Sequence, residues 1–109
     1  MTDSAIQDLL LTASKIFKLD IQSNSRLLKH IQARAVVYSI MRDTLLMTYS
    51  NIAKVFNKNH ATVLHAINEL PYMIKQDPEL KYKKIELLDK WGLEFTKSNN
   101  ESRRKKIKS

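Results

Sequence analysis

The chain has 109 residues, 43% of them hydrophobic, with one Gly, two Pro and no Cys. That suffices for one small core, while so few turn formers exclude an all-β fold and the missing Cys exclude a disulfide framework or a thiolate zinc site. No apolar run approaches the ~20 residues of a bilayer span, and the opening MTDSAIQDLL is acidic, so the sequence reads as a soluble, cytoplasmic protein that neither crosses nor binds a membrane.

The net charge of +8 is concentrated. Across residues 26–66, Arg26, Lys29, Arg34, Arg42, Lys54 and Lys58 are opposed only by Asp43, and the tail RRKKIKS is basic again. Residues 1–25 and 67–102 are each slightly acidic. Such clustering favours a polyanionic partner, nucleic acid ahead of a membrane surface. A merely solubilising surface is the plainer alternative.

Residues 3–18 place Ile6, Leu9, Leu10, Ala13, Ile16 and Phe17 at spacings of three and four, which predicts a first helix with cap candidates from Thr2 to Ser4. LDIQSNS is a polar break ending at Arg26. A second helix is expected over about 26–44, with Ser25 as a candidate N-cap and Ala33, Val36, Val37, Ile40 and Met41 facing the core. Thr48 then caps a short helix holding Ile52, Val55 and Phe56. Asn57-Lys58-Asn59 makes a turn, and Asn59 caps a helix whose inward stripe is Val63, Ile67 and Leu70. Pro71 is expected to end or kink that helix. Asp77-Pro78-Glu79 starts a last helix over about 78–96, packed through Leu80, Ile85, Leu88 and Trp91 or Leu93. The tail from Ser98 has almost nothing apolar to bury and is expected to be disordered. The prediction is one all-α domain, a small helical bundle over residues 1–98 with a basic tail at 99–109.

A short helix, a three-residue turn and a second helix with a polar start form a helix-turn-helix. In such units the front of the second helix enters the major groove, where first-turn side chains reach bases and free amides meet phosphates. His60, Ala61 and Thr62 occupy that position, and His65 and Asn68 continue the stripe. The bland reading is two surface histidines at a helix start. His60 and His65 are five apart, off the spacing that puts two ligands on one helical face, so no metal site is expected. No Ser has a convincing base and orienting acid, so no catalytic residue is assigned.

At these residues the sequence resembles a family. HATVLHA, preceded by SNIAKVFNKN, is similar to the signature of the C-terminal DNA-binding domain (domain IV) of DnaA, the bacterial chromosomal replication initiator, a Trp-repressor-like helical fold. ARAVVYSIMRD resembles that family's basic helix, and SNSR sits where it has a basic loop. The resemblance covers about residues 3–96. It implies that Arg26 reaches the adjacent minor groove, that Arg34 contacts phosphate and groove, and that Lys58 acts from the turn. It further implies that His60 and Thr62 touch bases or a methyl and that His65 makes a phosphate or groove-side contact. Asn59 replaces an acid that accepts from a cytosine amino group, and Ala61 replaces a threonine, keeping a methyl and losing a hydroxyl. Ala35 stands in place of a glutamine, and the turn before His60 is one residue shorter.

The family's ATPase module needs a glycine-rich phosphate loop, and Gly92 is the only glycine present, so neither nucleotide nor cofactor is expected. The expectation is a DNA-binding module standing alone, a monomer on double-stranded DNA at the nucleoid, serving replication initiation, its regulation or transcription control. A phage or mobile-element origin would suit such a module. A protein adaptor that keeps the fold but no longer reads DNA is the alternative, and an enzyme acting on nucleic acid ranks last because no carboxylate cluster accompanies the motif.

Overall fold

A computed structural model describes the backbone of residues 2–99 and the side-chain surroundings of residues 4–92. The expected tail, and Leu93 as a core candidate, lie outside what is described. Within it are five helices and no strand: α1 (Thr2–Phe17), α2 (Leu28–Asp43), α3 (Tyr49–Phe56), α4 (His60–Gln76) and α5 (Glu79–Asn99). The predicted all-α bundle with a helix-turn-helix is what forms.

α2 is the central element. Every residue from Ala33 to Met41 is buried, so this helix is enclosed on all sides and not only along the expected stripe. It packs chiefly against α4, while α1 lies along α5. Val63 and Leu70 bring α4 onto the core, with Ile67 half-buried between them. Leu80, Leu87 and Trp91 do the same for α5, and the Trp91 indole donates to the Ala5 carbonyl at 2.9 Å, pinning α5 to α1. Tyr38 and Phe56 meet edge to face at 4.9 Å, which sets α3 against α2.

Three helix ends depart from expectation. α1 begins at Thr2, so Asp3 and Ser4 lie within its first turn instead of before it. Ser25 does not cap α2: the cap position is Leu27, with no side-chain cap bond, and the Ser25 hydroxyl accepts from the Leu27 amide one step upstream. Pro71 does not end α4, which runs on to Gln76. Met73 and Ile74, beyond the proline, are half-buried against the core and hold the last turn in place. Pro71 itself is on the exposed side, where solvent can serve the carbonyl it leaves unpaired. On α5, Leu80, Leu88 and Trp91 face inward as expected, but Ile85 is 53% exposed and Leu87, not among the expected residues, is fully buried.

Candidate nucleic-acid interface

The α3–α4 unit is fixed by local chemistry at both ends of its turn. The Thr48 hydroxyl accepts from the Asn51 amide at 3.1 Å and starts α3. Asn57 closes it in the left-handed conformation (φ 55°), with the Asn57 amide bonded to Lys54 and the Lys58 amide to Ala53, the pairing of a Schellman cap. Asn59 Oδ1 then accepts from the Ala61 amide at 2.7 Å and opens α4, as the sequence predicts. That bond engages one of the two acceptor positions of the side-chain oxygen. His60, Ala61, Thr62 and His65 are exposed at the front of α4, while Val63 turns inward.

Beside this front lies the segment between α1 and α2, anchored at several points. Lys18 ends α1 in the left-handed conformation (φ 58°), with Leu19 bonded back to the Ser14 carbonyl. Ile21 is 1% exposed, plugged into the core, and its amide donates to the Ser14 hydroxyl at 3.2 Å. Arg34 rises from α2 beneath the loop. Its Nη1 donates to the Ser23 carbonyl at 2.9 Å and its Nη2 to the Ser25 carbonyl at 2.8 Å. Arg34 is only 7% exposed, so the expected phosphate contact meets a guanidinium largely committed to holding the loop. Arg26, the next residue along the loop, is exposed.

Loop and α4 together wall an open groove of about 810 Å³. Arg26, Arg34, Lys58, Thr62 and His65 all line it, so five of the eight residues singled out in the sequence converge on one concavity from three separate segments. Asn59, His60 and Ala61 belong to the helix front and are not among its lining. Asn68 is not among it either; the α4 stripe that faces the groove runs through Thr62, His65, Ala66, Glu69 and Met73. Among the described residues, ion pairing is confined to Lys90 and Glu86 on α5, at 3.4 Å, so Glu69, the one carboxylate in the groove lining, is not in salt-bridge contact with any of its cations.

Sequence reasoning missed four residues here. Gln22 and Asn24 tie the loop to the helix-turn-helix: Gln22 Nε2 donates to the Val55 carbonyl at 3.0 Å and Lys58 Nζ to Asn24 Oδ1 at 3.1 Å. Ile21 was a lone apolar residue in a polar break, a detectable sign of an anchor. Tyr38 lies on the groove floor, and its buried hydroxyl has no hydrogen-bond partner of good geometry. Burial raises the Tyr38 pKa, and the neighbouring Arg34 cation partly opposes the shift. Among the described residues, no group of three or more His, Asp and Glu could hold a metal ion, and no helix is long and apolar enough to cross a membrane.

A short capped helix, a turn closed by a left-handed asparagine and a second helix with a bare front make this a helix-turn-helix domain. The family described as "Bacterial dnaA protein helix-turn-helix" matches residues 4–70, and the chain belongs to that family. Its relatives include proteins named "Chromosomal replication initiator protein DnaA". The one from Pelobacter propionicus is 36% identical over 62 residues, 56% of this chain and 14% of the relative. The one from Mycoplasma pneumoniae is 32% identical over 59 residues, 54% of this chain and 13% of the relative. The one from Campylobacter jejuni subsp. doylei is 30% identical over 89 residues, 78% of this chain and 20% of the relative. The chain thus spans a fifth or less of the length of these proteins. No solved structure matches it.

Proposed function

We propose that the chain binds double-stranded DNA and acts in replication initiation or its regulation, with transcription control as a further use of the same activity. The front of α4, from Asn59 to Thr62, enters the major groove. Arg26 reaches the adjoining minor groove, while Lys58 and His65 contact the backbone between them. Arg34 serves the interface chiefly through the loop it holds. The observation that carries this reading is the convergence of Arg26, Lys58, Thr62 and His65 on one cationic groove with no neutralising acid in salt-bridge range. The groove is complete within one chain, so the protein works as a monomer, with DNA placing it in the cytoplasm at the nucleoid. The basic tail adds sequence-independent attraction to phosphates.

The adaptor reading keeps one foothold. Asn59 Oδ1 is engaged by the Ala61 amide and Arg34 by two loop carbonyls, so two groups assigned to DNA are partly occupied by the protein itself. Titration against duplex DNA at two salt concentrations separates the readings. DNA binding predicts affinity that falls steeply with salt, with a log–log slope of about 0.9 per phosphate contacted. Thr62→Ala should narrow the difference between preferred and arbitrary duplexes, whereas His65→Ala, which removes a backbone contact, should weaken all of them alike. Salt-independent or unmeasurable binding would favour the adaptor.

A further inference from the structure

The loop between α1 and α2 is tied down more heavily than a surface connection requires. Loops of this length ordinarily run over the surface with few fixed contacts. Here Ile21 is sunk in the core, Arg34 holds the alternate loop carbonyls of Ser23 and Ser25 from below, and two side-chain bonds join the loop to the helix-turn-helix. Those last two bonds differ in kind from the others. Gln22 Nε2 to the Val55 carbonyl joins the loop to the last turn of α3, and Lys58 Nζ to Asn24 Oδ1 joins it to the turn that precedes α4. They span 33 and 34 residues of chain. Neither buries apolar surface, and both are exposed, so their contribution to global stability is small. What they do fix is the distance between Arg26 and the front of α4.

We propose that Gln22 and Asn24 are positioning residues. Their bonds to Val55 and Lys58 hold the Arg26 arm at a set offset from α4 in the free protein, so that arm and helix dock on adjoining grooves as one pre-formed body. This rests on the DNA-binding reading of the interface and adds to it a physical source of specificity. An arm that is mobile before binding must be ordered at the moment of contact, which weakens binding at the sites where the arm engages. An arm held at a fixed offset engages fully only where the sequences read in both grooves carry the right spacing. Lys58 then has two roles: its ammonium braces the loop through Asn24 while its charge remains available to the backbone.

The test compares the full chain with a Gln22→Ala/Asn24→Ala double variant, in which no charge is altered and only exposed side chains are trimmed. Backbone amide order parameters are measured for residues 22–26 without DNA. Affinities are then measured for a duplex recovered by selection from a randomised pool and for a scrambled duplex of the same length. In the wild type the Arg26 amide should be as ordered as the helices, about 0.85, and in the double variant it should fall below about 0.6. Affinity for the selected duplex should fall about tenfold and that for the scrambled duplex much less, with the salt slope and melting temperature unchanged. Asn24→Asp alone, which keeps an acceptor for Lys58, should leave the arm ordered. An Arg26 amide equally mobile in both proteins, or an unchanged ratio of selected to scrambled affinity, would overturn the proposal. If the wild type binds neither duplex, the DNA-binding reading fails instead, and the order parameters still decide whether the two bonds hold the arm.

Discussion

Burial holds the Tyr38 phenol above its usual pKa, with the Arg34 cation pulling partly the other way. The folded state therefore favours the neutral phenol. Its contribution is fully present below about pH 10, where the unfolded chain's tyrosine is also protonated, and is lost as pH rises from there through the folded value. Across that window each pH unit costs up to ~1.4 kcal/mol. Denaturant midpoints at pH 8 and pH 11 should show a drop in the wild type that Tyr38→Phe substantially reduces. At pH 8 the two proteins should match to within about 1 kcal/mol, because the hydroxyl makes no hydrogen bond of good geometry and has only a poorly aligned contact with Arg34 to lose. A Tyr38→Phe protein less stable at pH 8 by more than about 1 kcal/mol would mean that the hydroxyl is satisfied in solution. Single residues were unevenly legible in the sequence. Thr62 and His65 lie where helical spacing and the family signature put them. Arg34 has a second task that the signature does not announce, because two of its donors are given to Ser23 and Ser25, and bonds to main-chain carbonyls leave no mark on side-chain patterns.

At the scale of elements, the turn between α3 and α4 depends on a residue in an uncommon conformation. Asn57 has φ 55° and ψ 48°, a region that costs most side chains about 1–2 kcal/mol and glycine almost nothing. Asn57→Gly should hold stability or raise it by up to ~1 kcal/mol, while Asn57→Ala should lower it by about 1 kcal/mol. Thermal melts of the two variants decide the matter, and an alanine variant as stable as the glycine one would show that the left-handed turn carries no strain. The caps at Thr48, Asn59 and Asp77 were readable because capping is a local code of residue type and position. At Pro71 the sequence left open whether the helix ends or kinks, and it runs on to Gln76. A proline's local cost is fixed, but whether the helix continues is settled by what lies beyond it, and Met73 and Ile74 find a core there. One position on α5 departs for a similar reason: with apolar residues at both Ile85 and Leu87, docking against α1 and α2 selects Leu87.

On the scale of the whole molecule, the clustered charge of the sequence becomes a shape. Cations from the loop, from α2 and from the turn before α4 meet the bare front of a helix along one groove, while α1 and α5 close the far side of the core. The existence of that face followed from segment charge and the helix-turn-helix pattern. Its construction did not, because Gln22 to Val55 and Asn24 to Lys58 are long-range polar bonds that no periodicity announces. The most direct test is a backbone amide chemical-shift titration of the chain with a selected duplex. Shifts should concentrate in residues 22–26 and 57–66, two stretches far apart in sequence and joined only by this fold. Changes confined to α1 and α5, or none at duplex concentrations that saturate other helix-turn-helix domains, would contradict the assignment of this groove as the DNA-reading face.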